Sequence, residues 1–295
     1  MREEFSVPSE MTLLEALREH FPKSSGRKLR EMLTEGRVTV VGKASHRAKQ
    51  QVAAGASIEI HPRDKAAASV RRAERSLKTS RLAILHEDET LLVVDKPPNL
   101  LSVATDKMEP DTLHSRALGY LRSKGTEVWP FIVHRLDKKT SGVMVFAKDE
   151  SAKQHLQTQF AQRSVERVYH CLVEGSPQEE SGVVQNHLHE DKNLRVRSCE
   201  PRAKGAREAI TEWTVESSRE PFSLIRLLIG TGRRHQIRVH MSEMGFPIAG
   251  DRMHGAKSDP LQRLCLHASS LAFEHPRSGE RVRFSSKYEV LRRLL

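Results

Sequence analysis

Residues 134–148 read HRLDKKTSGVMVFAK. The stretch sets His, Arg and Asp within four residues, passes through a Thr-Ser-Gly turn, and runs straight into an apolar strand. A turn held against a buried strand is a rigid mount for a functional side chain. Asp137 is therefore a candidate functional carboxylate, although an Asp ahead of Thr-Ser-Gly can equally serve turn hydrogen bonds. On this segment alone both readings stand.

Working outward, LLVVDKPP (91–98) is an apolar strand that two prolines end. TLHSRALGYLRSK (112–124) has helical spacing. Residues 151–163 set Ala152, Leu156 and Phe160 four apart, so a helix packs behind the strand that follows Asp137. ERVYHCLVEG (166–175) and SLIRLLI (223–229) read as strands. RRHQIRVHMSEMG (233–245) reads as a helix with Ile237, Met241 and Met244 on one face, and RLCLHASSLAFEHP (263–276) as a closing strand. Residues 177–220 have little pattern and predict loops and short strands, with basic residues at Lys192, Arg195, Arg197, Arg202, Lys204 and Arg207. Strands without regular βαβ alternation predict an α+β domain on a mixed, largely antiparallel sheet.

The chain's first 62 residues form a different unit. TLLEALREH (12–20) and GRKLREMLTEG (26–36) are short amphipathic helices, with Leu13, Leu14 and Leu17 on the first and Leu29, Met32 and Leu33 on the second. Gly36 is the expected stop of the second. VTVVGK (38–43) and ASIEIHP (56–62) add two short strands. Between Lys23 and Lys49 lie eight Lys or Arg residues against Glu31 and Glu35. Arg27, Lys28 and Arg30 begin the second helix, where they oppose its dipole and gain little stability, so with Arg37 they suit contacts to phosphate. Residues 63–80 are small, polar and basic, and read as a linker with a short helix around Ala73 as an option. The expected division is 1–62, 63–80 and 81–295.

A chain of 295 residues with 37% apolar and 29% charged residues is long enough for two folded domains with a proper core. A net charge of +11 favours polyanionic partners. No run approaches the roughly 20 apolar residues that a bilayer demands, and MREEFSVPSE is unlike a signal peptide, so a cytoplasmic location is expected. The three cysteines are widely spaced, which fits buried thiols rather than disulfides or zinc ligands. His134, His235 and His240 lack a carboxylate at a known metal-ligand spacing, so no metal is expected.

Five blocks in fixed order carry a resemblance: LLVVDKPPNLLSV, HRLDKKTSG, ERVYHCLVEG, TGRRHQIRVHMSEMGFPIAGD and LCLHASSLAFEHP. Together they resemble the RluA-type family of pseudouridine synthases over almost all of residues 82–284. KLREMLTEGRVTVVGK with AAGASIEI similarly resembles the S-four-type RNA-binding domain. It departs from that family in its Val41-Gly42 turn and in Ala56 after Gly55. The resemblance implies isomerisation of uridine in RNA with no cofactor, where the bond from C1′ to ring N1 is replaced by one to C5. Asp137 matches the essential aspartate, which either attacks C1′ or removes the C2′ proton. Both routes need an ionised carboxylate, which a neighbouring arginine favours, and Arg238 matches the arginine that pairs with it.

Tyr169 matches a tyrosine that stacks on the base and is a candidate for taking the C5 proton. Arg135 matches a residue that holds the RNA once the nucleotide is turned out, a step required because a stacked base hides the reacting atoms. His134, Arg233, His235, Ile237 and Leu266 are the further substrate-binding candidates, the last two as an apolar floor. The implied partner is RNA rather than DNA or a membrane, ribosomal RNA ahead of tRNA, with a monomer as the default.

Three other readings are weaker. A protein kinase is excluded because Leu136 separates Arg135 from Asp137 and no DFG follows. A glycoside hydrolase needs a second placed carboxylate. An inactive RNA-binding or ribosome-assembly protein would not be expected to retain Asp137, Tyr169 and Arg238 together.

Overall fold

The computed structural model describes residues 3–34, 37–45, 47–61, 82–105, 109–192 and 194–295. Contacts gather the chain into two compact units, one drawn from residues 1–81 and 103–119, the other from 82–102 and 120–295. The expected linker at 63–80, its helix near Ala73 and the stop at Gly36 lie outside the described residues.

In the first unit, Thr12 and Glu15 form a reciprocal capping box at the start of helix Leu13–His20. A second helix, Gly26–Thr34, follows. The leucine faces read from the sequence meet: Leu13, Leu17, Leu29 and Leu33 are fully buried in one cluster with Val38 and Ile58. An antiparallel sheet of Glu3–Ser6, Ser57–Ile60, Val38–Val40 and Lys43–Ala44 carries Val38 and Ile58. Lys28 and Arg30 are exposed on the second helix. Arg37 is half-buried, and its Nε donates to the His61 carbonyl at 2.9 Å, so it ties chain segments together as well as carrying charge.

The second unit is built on an eleven-stranded sheet. Its central path runs Phe222–Ile229, Glu166–Glu174, Leu266–Glu274, Ser141–Ala147, Leu91–Lys96. Ala83–Glu87 ends one side, and Arg207–Arg219, Ser181–Glu190 and Val196–Cys199 extend the other. The pairings are antiparallel except that of Ser141–Ala147 with Leu266–Glu274, which is parallel. That exception positions the site. Two parallel neighbours begin at the same sheet end, so the HRLDKKT loop enters beside Leu266. Gly142 permits their approach, since its φ is 118° and a Cβ there would meet the Ala268 carbonyl oxygen at 2.1 Å.

Strand Ser141–Ala147 is buried along its whole length. Asp149 caps helix Glu150–Ala161 by accepting from the Ala152 N–H at 2.7 Å. Ala152 and Leu156 of that helix pack on Val143, Val145, Leu91 and Phe273, as the four-residue spacing predicts. The predicted helix at 112–124 forms as Leu113–Ser123. Among the described residues no helix is long and apolar enough to cross a membrane.

Residues 177–220 depart in part from expectation. Loops and the short strand Val196–Cys199 are there as expected, but they lie between two long strands, Ser181–Glu190 and Arg207–Arg219, paired from Ser181 opposite Thr214 to Leu188 opposite Arg207. The inward positions Ala209, Thr211 and Trp213 do alternate, and all are buried. Thr211 breaks the apolar pattern because its hydroxyl is satisfied internally, by the Gln236 amide at 3.0 Å and His240 at 2.9 Å. Burial kept the strand period where hydrophobicity lost it.

Candidate active site

The loop that carries Asp137 is fastened by its backbone. The Ser102 hydroxyl donates to the Leu136 carbonyl at 2.7 Å and accepts from the Leu136 N–H at 3.1 Å. Beyond Asp137, the fully buried Lys96 ammonium donates to the carbonyls of Pro97 (3.0 Å), Lys138 (3.1 Å) and Thr140 (2.6 Å). A buried cation needs such partners to be tolerated. Burial pushes the Lys96 pKa down to about 7, the Asp137 charge partly restores it, and Arg263 lowers it further.

This has a measurable consequence. With a folded pKa below the ordinary 10.5, Lys96 holds its proton more weakly in the folded than in the unfolded chain. Between about 7 and 10.5 the unfolded chain carries more protons, so this group's contribution to stability rises with pH and is lost as pH falls toward 7. Lys96→Met should flatten that rise, read as urea midpoints across the window. A variant whose midpoints climb as steeply as the parent's would rule Lys96 out as the responsible group.

The Asp137 side chain is 24% exposed and faces two groups from the segment after strand Phe222–Ile229. Arg238 Nη1 lies 3.8 Å from Asp137 Oδ2, and His235 Nε2 lies 3.9 Å from the same oxygen. The expected pairing of Arg238 with Asp137 is thus close approach without a hydrogen bond. The direct partner of Arg238 is Asp251, held by two bonds from Nε (2.6 Å) and Nη2 (2.7 Å). Both side chains are buried. A bidentate pair fixes the guanidinium plane, leaving only Nη1 toward Asp137.

His235 caps helix Gln236–Glu243 in the left-handed region, φ 53°, and offers no side-chain bond to the helix end. Burial lowers its pKa, the Asp137 charge opposes this, and Arg238 reinforces it. Its ring stands edge-on to His254. The loop before it is locked by Gln236, whose carbonyl oxygen accepts from the Thr231 hydroxyl (2.7 Å) and the Arg233 N–H (3.1 Å). The Gln236 amide donates to the Ile210 carbonyl at 2.9 Å.

Tyr169 sits on strand Glu166–Glu174 where the pairing with Leu266–Glu274 slips by one residue. Such a bulge re-aims side chains, and here Arg167 and Tyr169 both line the cleft. Burial raises the Tyr169 pKa to about 12, with Arg167 acting against the shift and Asp137 with it.

These groups line one cleft of about 440 Å³. Of the residues singled out in the sequence, Asp137, Tyr169, Arg238, His134, Arg135, Arg233, His235, Ile237 and Leu266 all line it. Ile237 and Leu266 are buried and apolar. Arg135 is exposed at the loop. His134 is also held from behind: its Nε2 accepts from the Val145 N–H at 3.1 Å and its ring stacks on Phe160. Burial pushes its pKa down to about 3, so it braces the wall as a neutral ring. His240 bonds Thr211 and Asn186 and does not line the cleft. Lys28, Arg30 and Arg37 belong to the first unit, and the Arg27 side chain lies outside the description.

Sequence reasoning missed Lys96, Asp251, Gln236 and Arg167. Lys96 and Asp251 lay inside quoted blocks, but nothing local distinguishes a buried lysine or aspartate from a solvated one. Arg167 carried a weak signal, two residues before Tyr169 on the same strand.

Comparison with known proteins adds an independent observation. A family model described as RNA pseudouridylate synthase matches residues 90–243. An uncharacterized RNA pseudouridine synthase of Aquifex aeolicus is 32% identical over 94% of this chain and 90% of its own length. The ribosomal large subunit pseudouridine synthase D of Haemophilus ducreyi is 31% identical over 91% of this chain and 84% of its own. Among solved structures, human RNA pseudouridylate synthase domain containing 4 superposes with a TM-score of 0.61 at 24% identity, covering 74% of this chain and 93% of that one. It shares the mixed α+β, mostly antiparallel fold.

Proposed function

This chain belongs to the RluA-type RNA pseudouridylate synthases, isomerases that act on RNA, and on that premise we propose that it converts uridine to pseudouridine in large-subunit ribosomal RNA, with Asp137 as the reacting carboxylate. The observation that carries the site is a single partly exposed carboxylate, 3.8 Å from a clamped guanidinium, in a cleft that also holds a tyrosine and an apolar floor. The ribosomal target is supported by similarity along most of the chain to a pseudouridine synthase named for the ribosomal large subunit.

In this reading the uridine leaves its stack and enters the cleft. Asp137 works at the ribose, either attacking C1′ or taking the C2′ proton, so that the C1′–N1 bond breaks and the base rejoins C1′ through C5. Arg238 Nη1 steadies the carboxylate. Tyr169 stacks on the base. A phenol with a pKa near 12 is protonated at neutral pH, so it can take the C5 proton only by passing on its own. Ile237 and Leu266 form the floor, His235 and Arg233 flank the nucleotide, and Arg135 holds the RNA at the entrance.

Residues 1–62 act in this proposal as an S-four-type RNA-binding domain, joined through 63–80 to a catalytic domain at 81–295. Lys28→Gln with Arg30→Gln should weaken RNA binding and reduce the slope of log affinity against log salt by about one per lost phosphate contact. An unchanged slope would show that this face is idle. The target itself is tested by mapping pseudouridine in the host's ribosomal RNA and tRNA with and without the gene. Loss of a large-subunit site is expected; loss confined to tRNA would overturn the ribosomal assignment.

A further inference from the structure

Arginines crowd one wall of the cleft, beyond the groups that face Asp137. Arg163 follows helix Glu150–Ala161, Arg167 precedes Tyr169 on its strand, Arg207 opens strand Arg207–Arg219, and Arg233 lies in the loop before His235. Arg163, Arg167 and Arg233 line the cleft itself. Glu208 is the acid that bonds within this group: its carboxylate takes Arg163 at 3.0 Å, and its backbone carbonyl takes Arg233 Nε at 2.9 Å. Burial lowers the pKa of Arg167, with repulsion from Arg163 and Arg233 in the same direction. Arg233 is lowered by burial and then by Arg207 and Arg163. The wall holds more positive charge than it neutralises.

Arg167 is the member of the group that carries a buried donor without a partner. Its Nη2 donates at 3.3 Å to the carbonyls of Ile229 and Gly230. Its Nε is buried without a hydrogen-bond partner. Its Nη1 occupies space that any side chain at 232 would contest, since a Cβ on Gly232 would come within 2.6 Å of it. Buried donors are normally paired, and a guanidinium with spare donors among like charges is matched to an anion with several acceptor oxygens. A nucleic-acid backbone supplies one at every nucleotide.

We propose that Arg163, Arg167 and Arg233 form a subsite for a backbone phosphate of the RNA adjoining the nucleotide in the cleft. This rests on the reading of the cleft as a uridine site given above. Anchoring one neighbouring phosphate would set how deeply the nucleotide seats against Asp137, and phosphate contacts fix register without reading sequence.

The test uses the full chain and a short fluorescein-labelled RNA with one central uridine, in which each phosphate near the uridine is replaced in turn by an uncharged methylphosphonate. Affinity is read by anisotropy for the parent, Arg167→Gln, Arg163→Gln and Arg233→Gln. The exposed Arg163 gives a variant that folds even if Arg167→Gln does not. One neutral phosphate should weaken parent binding about tenfold or more, as expected for a charge-assisted contact, and should weaken the arginine variants little further. If the losses from phosphate and arginine simply add at every position, the subsite is overturned. Because anisotropy requires no turnover, absence of pseudouridine would sink the proposed activity while leaving this coupling readable, and absent coupling with turnover intact would sink the subsite alone.

Discussion

Asp137→Asn is expected to lower turnover by at least the order of 10⁴-fold while leaving RNA affinity within a few-fold of the parent, since loss of a group that reacts directly removes most of the rate. An asparagine has the same shape, but its amide neither attacks C1′ nor takes a proton from C2′. The fold should tolerate the change because the loop is held by other groups. Ser102 grips Leu136 on both sides of its peptide, and Lys96 grips the carbonyls of Lys138 and Thr140. The carboxylate itself has the Arg238 guanidinium at 3.8 Å and the His235 ring nitrogen at 3.9 Å, both beyond hydrogen-bond distance. Single-turnover assays on purified protein, beside an anisotropy titration, separate the two effects. Retained turnover would move the chemistry to another side chain, and loss of binding in step with turnover would recast Asp137 as an RNA contact.

The parts of this molecule that the sequence made legible are those where one local signal sufficed. Strand Ser141–Ala147 is buried along its length, and its Val143–Ala147 portion reads as a continuous apolar run. The helix behind it shows its four-residue spacing, and the leucine faces of the first unit likewise meet in one core. What escaped was set by partners distant in the chain. Thr211 looks like a break in a strand until Gln236 and His240 satisfy it. Lys96 looks like a solvated turn lysine until three carbonyls surround it. His134 lines the cleft while bonded to Val145 and stacked on Phe160, a double engagement that its place in HRLD does not reveal. In each case the side chain's fate depends on groups that the fold brings to it, which residue type and spacing do not encode.

The same reason hid Asp251, whose loss should produce the second large effect. Arg238 and Asp251 are buried and joined by two short bonds. Removing one partner of such a pair leaves an uncompensated charge, at a cost of about 3–5 kcal/mol, so Asp251→Ala should unfold at markedly lower urea. Activity should fall as well, by roughly 10²-fold, the penalty for misplacing a group near the reacting centre. Freed from its clamp, Arg238 can close the 3.8 Å gap and form a direct pair with Asp137, tying up the carboxylate it had merely faced. The double variant Arg238→Met with Asp251→Ala separates the two roles. Replacing both charges with apolar groups removes the buried penalty, so stability should recover toward the parent. Turnover should not recover, because the guanidinium that oriented Asp137 is gone. Were turnover to return with stability, the pair would be a purely structural bridge, and Arg238 would lose its place beside the carboxylate.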